Sequence, residues 1–338
     1  MRSFGRSLLV LIAMFSIASP SFAAPKKKNK TWDDPAVAVK EDPDFSIQGE
    51  YVGKYTDDDN KGSIGVQVIA LGDGKFRAKS FDGGLPGAGW TGEKGHEADG
   101  SLDSSGVVTF ADKDGYKATV QKGVMTFLKP DGKAFGSAKH TLRVSNTMGM
   151  KPPKGAVVLF NGKEDSLKNW KKGAKIDKGL LCQGVMSIPT FNSHTLHVEF
   201  RLPYKPHARG QGRGNSGLYM QGRFETQMLD SFGLVGKHNE CGGIYSIKDP
   251  DLNMCLPPLS WQTYDIDFTA AQFDDAGKKT KNAQMTVRLN GVVVHKNVAL
   301  PKSTTASPLK EGPKGGPVYL QNHGNPVRFR NIWILPKD

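Results

Sequence analysis

Cysteine is scarce in this chain of 338 residues, with Cys182, Cys241 and Cys255 the only three. No Cys-x-x-Cys pair and no Cys/His spacing is present, which removes zinc-finger and thioredoxin-type readings. Long apolar runs are also missing. The stretch from Leu8 to Ala18 has eleven residues, short of the roughly 20 a spanning helix needs, and no later segment is longer. Helical periodicity is absent between residues 45 and 148 and sparse beyond, so helix bundles and helix-rich α/β folds are excluded. Acidic residues are the minority, 33 against 46 Lys and Arg, for a net charge of +13.

What is there begins with an address. Arg2 and Arg6 precede the apolar stretch, Pro20 interrupts it, and Ser21-Phe22-Ala23 supplies small residues for cleavage. Residues 1–23 read as a Sec signal peptide, so the chain is expected to be exported, periplasmic or extracellular, without stable membrane insertion. Residues 24–44, charged and proline-containing, read as a disordered linker. The dense basic run, Lys26 to Lys30, is a solvated tail. Elsewhere Lys and Arg are mixed with Asp, so no nucleic-acid partner is expected, although the positive balance favours anionic surfaces. Export permits disulfides. Cys241 and Cys255 flank one loop and form the candidate pair, leaving Cys182 alone. Closing a loop of about 15 residues would contribute on the order of 3 kcal/mol.

Residues 45–150 read as a small β module. Strand formers recur in short runs, such as Ile64 to Leu71, Lys75 to Phe81, Lys117 to Gln121 and Val124 to Leu128. Turn pairs such as Gly72-Asp73-Gly74 and Asp131-Gly132 separate them. Gly87-Ala88-Gly89-Trp90-Thr91-Gly92 matches the GxGxxG pattern. No apolar helical face follows it, so it is a glycine turn over a tryptophan rather than a dinucleotide site. From residue 155 to 337 strand signals become denser, and Asn290-Gly291 is a strong hairpin signal. The fold class is all-β, with a sandwich or jelly roll in this half.

The period of two carries the functional reading. Along 217–229, Tyr219, Gln221, Arg223, Glu225 and Gln227 alternate with Leu218, Met220, Phe224 and Met228. One face is apolar and the other polar, as in a half-buried strand. His197, Glu199 and Arg201 alternate with Leu196, Val198 and Phe200, and Tyr319, Gln321 and His323 with Val318 and Leu320. An antiparallel sheet can simply show water its polar side. Here, however, the polar set is planar and suited to directed or bidentate hydrogen bonds, as hydroxyl-rich ligands require. Trp261 offers either a stacking surface for a sugar ring or a core side chain. Glu199 reads first as one half of an ion pair with Arg201 or Arg330. His197-Val198-Glu199 lacks the Pro-Cys-x-x-Cys that a zinc deaminase needs.

Leu159-Phe160-Asn161-Gly162-Lys163 with Trp170, Gly214-Asn215-Ser216-Gly217-Leu218-Tyr219, Arg223-Phe224-Glu225, Trp261-Gln262-Thr263-Tyr264 and Leu320-Gln321-Asn322-His323-Gly324 occur in one order over 155–337. Together they resemble the 3-keto-disaccharide hydrolase family, which commonly has Asp where this chain has Asn322. The resemblance implies a concanavalin-A-like jelly roll and cleavage of 3-ketoglycosides by hydrolysis or by elimination and hydration. An oligosaccharide or oxidised sugar is the expected partner. Glu225 is the candidate base, His323 the candidate acid, and Asp230 the residue that orients it. Tyr219, Arg223, Gln227, Trp261, Gln321 and Asn322 are candidate substrate contacts. Carboxylates, His and amides of this kind can hold a hard divalent cation, yet no ligand spacing marks a metal site and no cofactor is expected. A conventional glycoside hydrolase and a noncatalytic sugar-binding protein on the same sandwich are the competing readings. Nothing in the sequence sets the oligomeric state.

Overall fold

The computed structural model describes residues 30–337, apart from positions 59 and 94. The signal-peptide reading of residues 1–23 and the first part of the linker lie outside the described residues. No helix among the described residues is long and apolar enough to cross a membrane.

The part of the expected linker that is described, residues 30–44, is structured, which corrects the disordered reading. It carries helix α1 (Pro35–Glu41), and α2 (Pro43–Ile47) follows directly. The cause is local. Asp34 accepts from the Ala36 amide and Asp42 from the Asp44 amide, each capping a helix that starts with proline. Trp32 then pairs with Tyr204 through two backbone hydrogen bonds of 3.0 and 2.8 Å.

The first module is a closed barrel of eight antiparallel strands: β1 (Gly49–Asp57), β2 (Asn60–Gly72), β3 (Lys75–Asp82), β4 (Glu97–Leu102), β5 (Val108–Ala111), β6 (Lys117–Gln121), β7 (Val124–Leu128) and β8 (Ala134–Thr141). Each strand pairs with the next, and β8 returns to β1. Gly87, Gly89 and Gly92 take positive φ in the β3–β4 connection, where Trp90 packs edge-on against Phe81 at 5.3 Å.

The second half is a sandwich of two antiparallel sheets. Its strands are β9 (Val157–Phe160), β10 (Ile176–Asp177), β11 (Leu180–Cys182), β12 (Val185–Phe191), β13 (His194–Arg201), β14 (Ser216–Met220), β15 (Phe224–Met228), β16 (Trp261–Thr269), β17 (Gln272–Phe273), β18 (Lys279–Lys281), β19 (Ala283–Leu289), β20 (Val292–Leu300), β21 (Gly316–Leu320) and β22 (Arg328–Pro336). The larger sheet runs β10-β11-β22-β13-β16-β19-β20, with β9 also on β22. The smaller runs β12-β21-β14-β15, and β17-β18 is a separate ribbon. Leu196, Val198 and Phe200 from β13 meet Leu218, Met220 and Phe224 in the shared core. Asn290 and Gly291 take φ of 54° and 80°, the left-handed pair a two-residue hairpin requires.

The odd face of β13 is polar yet buried, because the segment joining barrel to sandwich lies on it. Glu199 accepts from the Gly149 amide (2.7 Å) and from Arg330 Nε (2.6 Å). Thr147 donates to Asp265, which holds His197 Nδ1 at 2.6 Å. The expected Glu199–Arg330 pair therefore serves docking.

Candidate functional site

Residues 217–229 form a hairpin rather than one strand. Gln221 and Gly222 turn it with φ of 55° and 63°. Across the turn Tyr219 pairs with Glu225 and Gly217 with Gln227. Odd residues stand opposite odd residues, so these four share one sheet face. Arg223 leaves that face. Its guanidinium donates to the carbonyls of Lys310 (2.7 Å) and Lys314 (3.0 Å) and to Gln221 Oε1 (3.0 Å), which fastens the loop before β21. The expected substrate role of Arg223 is corrected to this structural one.

Glu225 is the centre of the face. It is 3% exposed. Burial pushes its carboxyl up to about 7, against the opposing effect of a hydrogen bond from the Tyr219 hydroxyl. Burial and the neighbouring carboxylate also raise the Tyr219 phenol, which keeps it protonated and donating. Gln321 donates its side-chain amide to Tyr219 Oη at 3.1 Å. Its own backbone amide bonds the Gly217 carbonyl at 2.9 Å. Gln321, Tyr219 and Glu225 thus form one chain held by β14, β15 and the end of β21. Tyr319 packs against Tyr219 with ring centroids 5.4 Å apart.

Gly217 makes room for the carboxylate. A Cβ built there would lie 2.1 Å from Glu225 Oε1 and 2.9 Å from its carboxyl carbon. Gly217→Ala is therefore expected to displace the carboxylate and lower turnover about 100-fold, the scale of a misplacement of about 1 Å. Steady-state kinetics and a melting curve check this. A loss of activity with a retained melting transition is the expected pairing.

Amides border the carboxylate. Gln227 and Asn215 both donate to Gln211 Oε1, at 3.0 and 2.9 Å, and Gln211 donates to the Asn239 carbonyl at 2.7 Å. Gln227 Oε1 and Asn215 Oδ1 are buried and accept no hydrogen bond among the described residues. Two buried acceptors without donors are suited to ligand hydroxyls. Gln211, Asn215 and Asn239 had no role in the sequence reading. Asn215 lies within the quoted Gly214–Tyr219 motif, so its signal was present; Gln211 and Asn239 lie in loops without periodicity.

The other expected residues are dispersed. Asn322 and His323 stand on the exposed loop after β21. Asn322 Oδ1 accepts from the Gly324 amide at 2.9 Å, and the His323 ring has no hydrogen bond or ion pair among the described residues. Asp230 does not orient His323. It is buried in an ion pair with Arg213, Nε to Oδ2 2.6 Å. Burial raises its carboxyl against the pull of that guanidinium. Trp261 lies in the larger sheet, beneath Arg330 (4.0 Å to the ring centroid) and Arg201 (5.1 Å). It lines a cavity of about 550 Å³ between barrel and sandwich that Glu225 does not line, so its expected sugar contact at the Glu225 face is corrected. Cys241 and Cys255 are buried free thiols rather than a disulfide. Tyr264 Oη lies 3.5 Å from Cys241 Sγ, and the Leu229 carbonyl accepts from Cys255 at 3.5 Å. Among the described residues no group of three His, Cys, Asp or Glu side chains is arranged to hold a metal ion.

The family match and the structural neighbour that follow make this β sandwich, with its buried carboxyl among phenols and amides, a carbohydrate-active, glycoside-hydrolase-like protein. Residues 155–335 match the 3-keto-alpha-glucoside-1,2-lyase-like domain, and the chain belongs to that family. A protein from Parabacteroides distasonis, provisionally described as a glycosyl hydrolase, is 31% identical over 55% of this chain and 85% of its own, with a TM-score of 0.50. A second crystal structure from the same organism, described in the same terms, is 18% identical over 54% of this chain and 94% of its own, with a TM-score of 0.40. No curated protein matches the chain. The family implies a sugar substrate.

Proposed function

We propose that the protein is an exported enzyme that cleaves 3-ketoglycosides by elimination followed by hydration. A ketone at C3 acidifies the C2 hydrogen. Glu225, as carboxylate, takes that proton, and the resulting enediolate expels the C1 substituent. The departing oxygen takes a proton from His323, on the loop that follows Gln321. Water then adds at C1 of the unsaturated ketone, giving up its proton to His323, while the proton held by Glu225 returns to C2. The sum is one glycosidic bond and one water consumed, one 3-keto sugar and one alcohol released.

The observation that carries this reading is the Glu225 carboxyl, buried, close to neutrality and fixed mid-strand against Gly217. A general base is most effective when its pKa lies near the working pH. Two-carboxylate hydrolysis is less well supported. It needs a second carboxyl about 5 to 9.5 Å away across the bond, and Asp230, the other one the sequence offers, is tied to Arg213.

Incubation with 3-ketotrehalose or 3-ketocellobiose tests the proposal. Transient enone absorbance with release of the second sugar is expected. Turnover of unoxidised glycosides alone, or saturable binding without any product, would overturn it. The pH profile supplies a second check. The active form of Glu225 is deprotonated, so the acid limb of kcat/KM should rise about tenfold per pH unit and bend near pH 7. A profile already flat from pH 5 would remove Glu225 as the base.

A further inference from the structure

The barrel is a cup with one sealed end. At that end α2 sits beneath β1 and β2. Asp44 accepts from the Gly74 amide at 2.9 Å, and Tyr51 Oη donates to the Ile47 carbonyl at 2.7 Å. Trp32, Tyr204 and Leu259 extend the barrel core there into the sandwich. Toward the opposite end, where the β1–β2, β3–β4 and β5–β6 hairpins turn, lies a cavity of about 500 Å³.

An eight-stranded barrel is just wide enough to be filled by its own side chains or to hold one small ligand. Residue size decides which applies. Ala78 and Ala98 stand opposite each other on β3 and β4, Ala118 follows on β6, and all three line the cavity. Leucine or phenylalanine at these positions would occupy the space. The remaining lining is largely rings, with Phe110, Phe127, Phe135, Tyr55 and Tyr116 among them. Phe135, Tyr55 and Tyr116 are only half-buried. Aromatic surface left accessible inside a cup of this volume is matched by a ligand ring that can pack edge-on or offset against it. The polar residues that line it include Asp82, Glu97, Asp112 and Asp114, set against Lys117. This excess of carboxylates disfavours an anion.

We propose that the barrel binds one small, mainly apolar aromatic molecule, uncharged or cationic, at a site separate from Glu225. The test is fluorescence titration of the whole protein with N-phenyl-1-naphthylamine, which is neutral, and with 8-anilinonaphthalene-1-sulfonate, which is anionic. The neutral probe should give a saturable one-to-one enhancement, and the sulfonate should bind about tenfold more weakly. Ala98→Leu should weaken the neutral probe by about tenfold or more while turnover of a 3-ketoglycoside is unchanged. Ala118→Leu gives the same reading if the first variant fails to fold. Charge reversal with Asp82→Lys and Glu97→Lys should bring the sulfonate to parity. No enhancement, or an enhancement that a folded cavity-filling variant leaves untouched, would overturn the site. Equal affinity of the unaltered protein for both probes would overturn the charge selection. Because the probes report no sugar chemistry, these outcomes stand apart from success or failure at Glu225.

Discussion

Glu225→Gln is expected to lower turnover of a 3-ketoglycoside by about 10³-fold, within the range for removing a positioned general base. The argument is one of geometry. Glutamine keeps the shape that fits against Gly217, where a Cβ would come within 2.1 Å of the carboxylate. Its amide oxygen can still accept from the Tyr219 hydroxyl. What it loses is the ability to take a proton from C2. Stability should be unchanged or slightly higher. Burial already disfavours charge at this position, which is why the carboxyl is raised to about 7, and an uncharged amide avoids that penalty. Paired measurements decide the matter: kcat with 3-ketotrehalose, and the denaturation midpoint. A folded variant with kcat within about tenfold of the parent would show that another group removes the proton.

How far this site was readable in the sequence depends on what a period of two can and cannot tell. Alternation through Tyr219, Glu225 and Gln227 correctly put three residues on one face, even though a hairpin turn interrupts them. The parity survives because odd positions pair with odd positions across β14 and β15. Arg223 obeyed the same alternation but sits at the turn, where alternation has no meaning. The polar face of β13 showed the same alternation, although Glu199 read first as half of an ion pair with Arg201 or Arg330, and the pair with Arg330 is present. That face holds the Ser145–Met150 segment, because a docked backbone, like a sugar, calls for directed hydrogen bonds. Asp-Pro at 34–35 and again at 42–43 were legible helix starts, yet charge and proline content pointed to disorder. The barrel's closure was not readable, since strand order and the β8–β1 pairing join residues about ninety positions apart. Proximity in sequence made Cys241 and Cys255 a disulfide candidate, but proximity does not provide the bonded geometry.

Arg213→Met is expected to destabilise the fold by about 3–5 kcal/mol, the range for stripping one partner from a buried ion pair. Arg213 and Asp230 are 6% and 3% exposed. Their contact is 2.6 Å, and Arg213 Nη1 also donates to the Ala70 carbonyl on β2 at 3.2 Å. One guanidinium therefore neutralises a carboxylate in the sandwich and satisfies a carbonyl of the barrel. Removing it leaves Asp230 charged and dry, or forces it to take up a proton. The double variant Arg213→Met, Asp230→Leu should recover most of the loss, because replacing a whole buried pair by apolar side chains is often neutral. Urea denaturation of the parent, both single variants and the double variant gives the coupling between the two. Asp230→Asn separates structure from chemistry. It should lower stability while the folded fraction keeps its kcat, since Asp230 faces Arg213 and not the Gln321–Tyr219–Glu225 chain. A collapse of kcat in a fully folded Asp230→Asn protein would instead return Asp230 to the catalytic machinery and reopen the two-carboxylate mechanism.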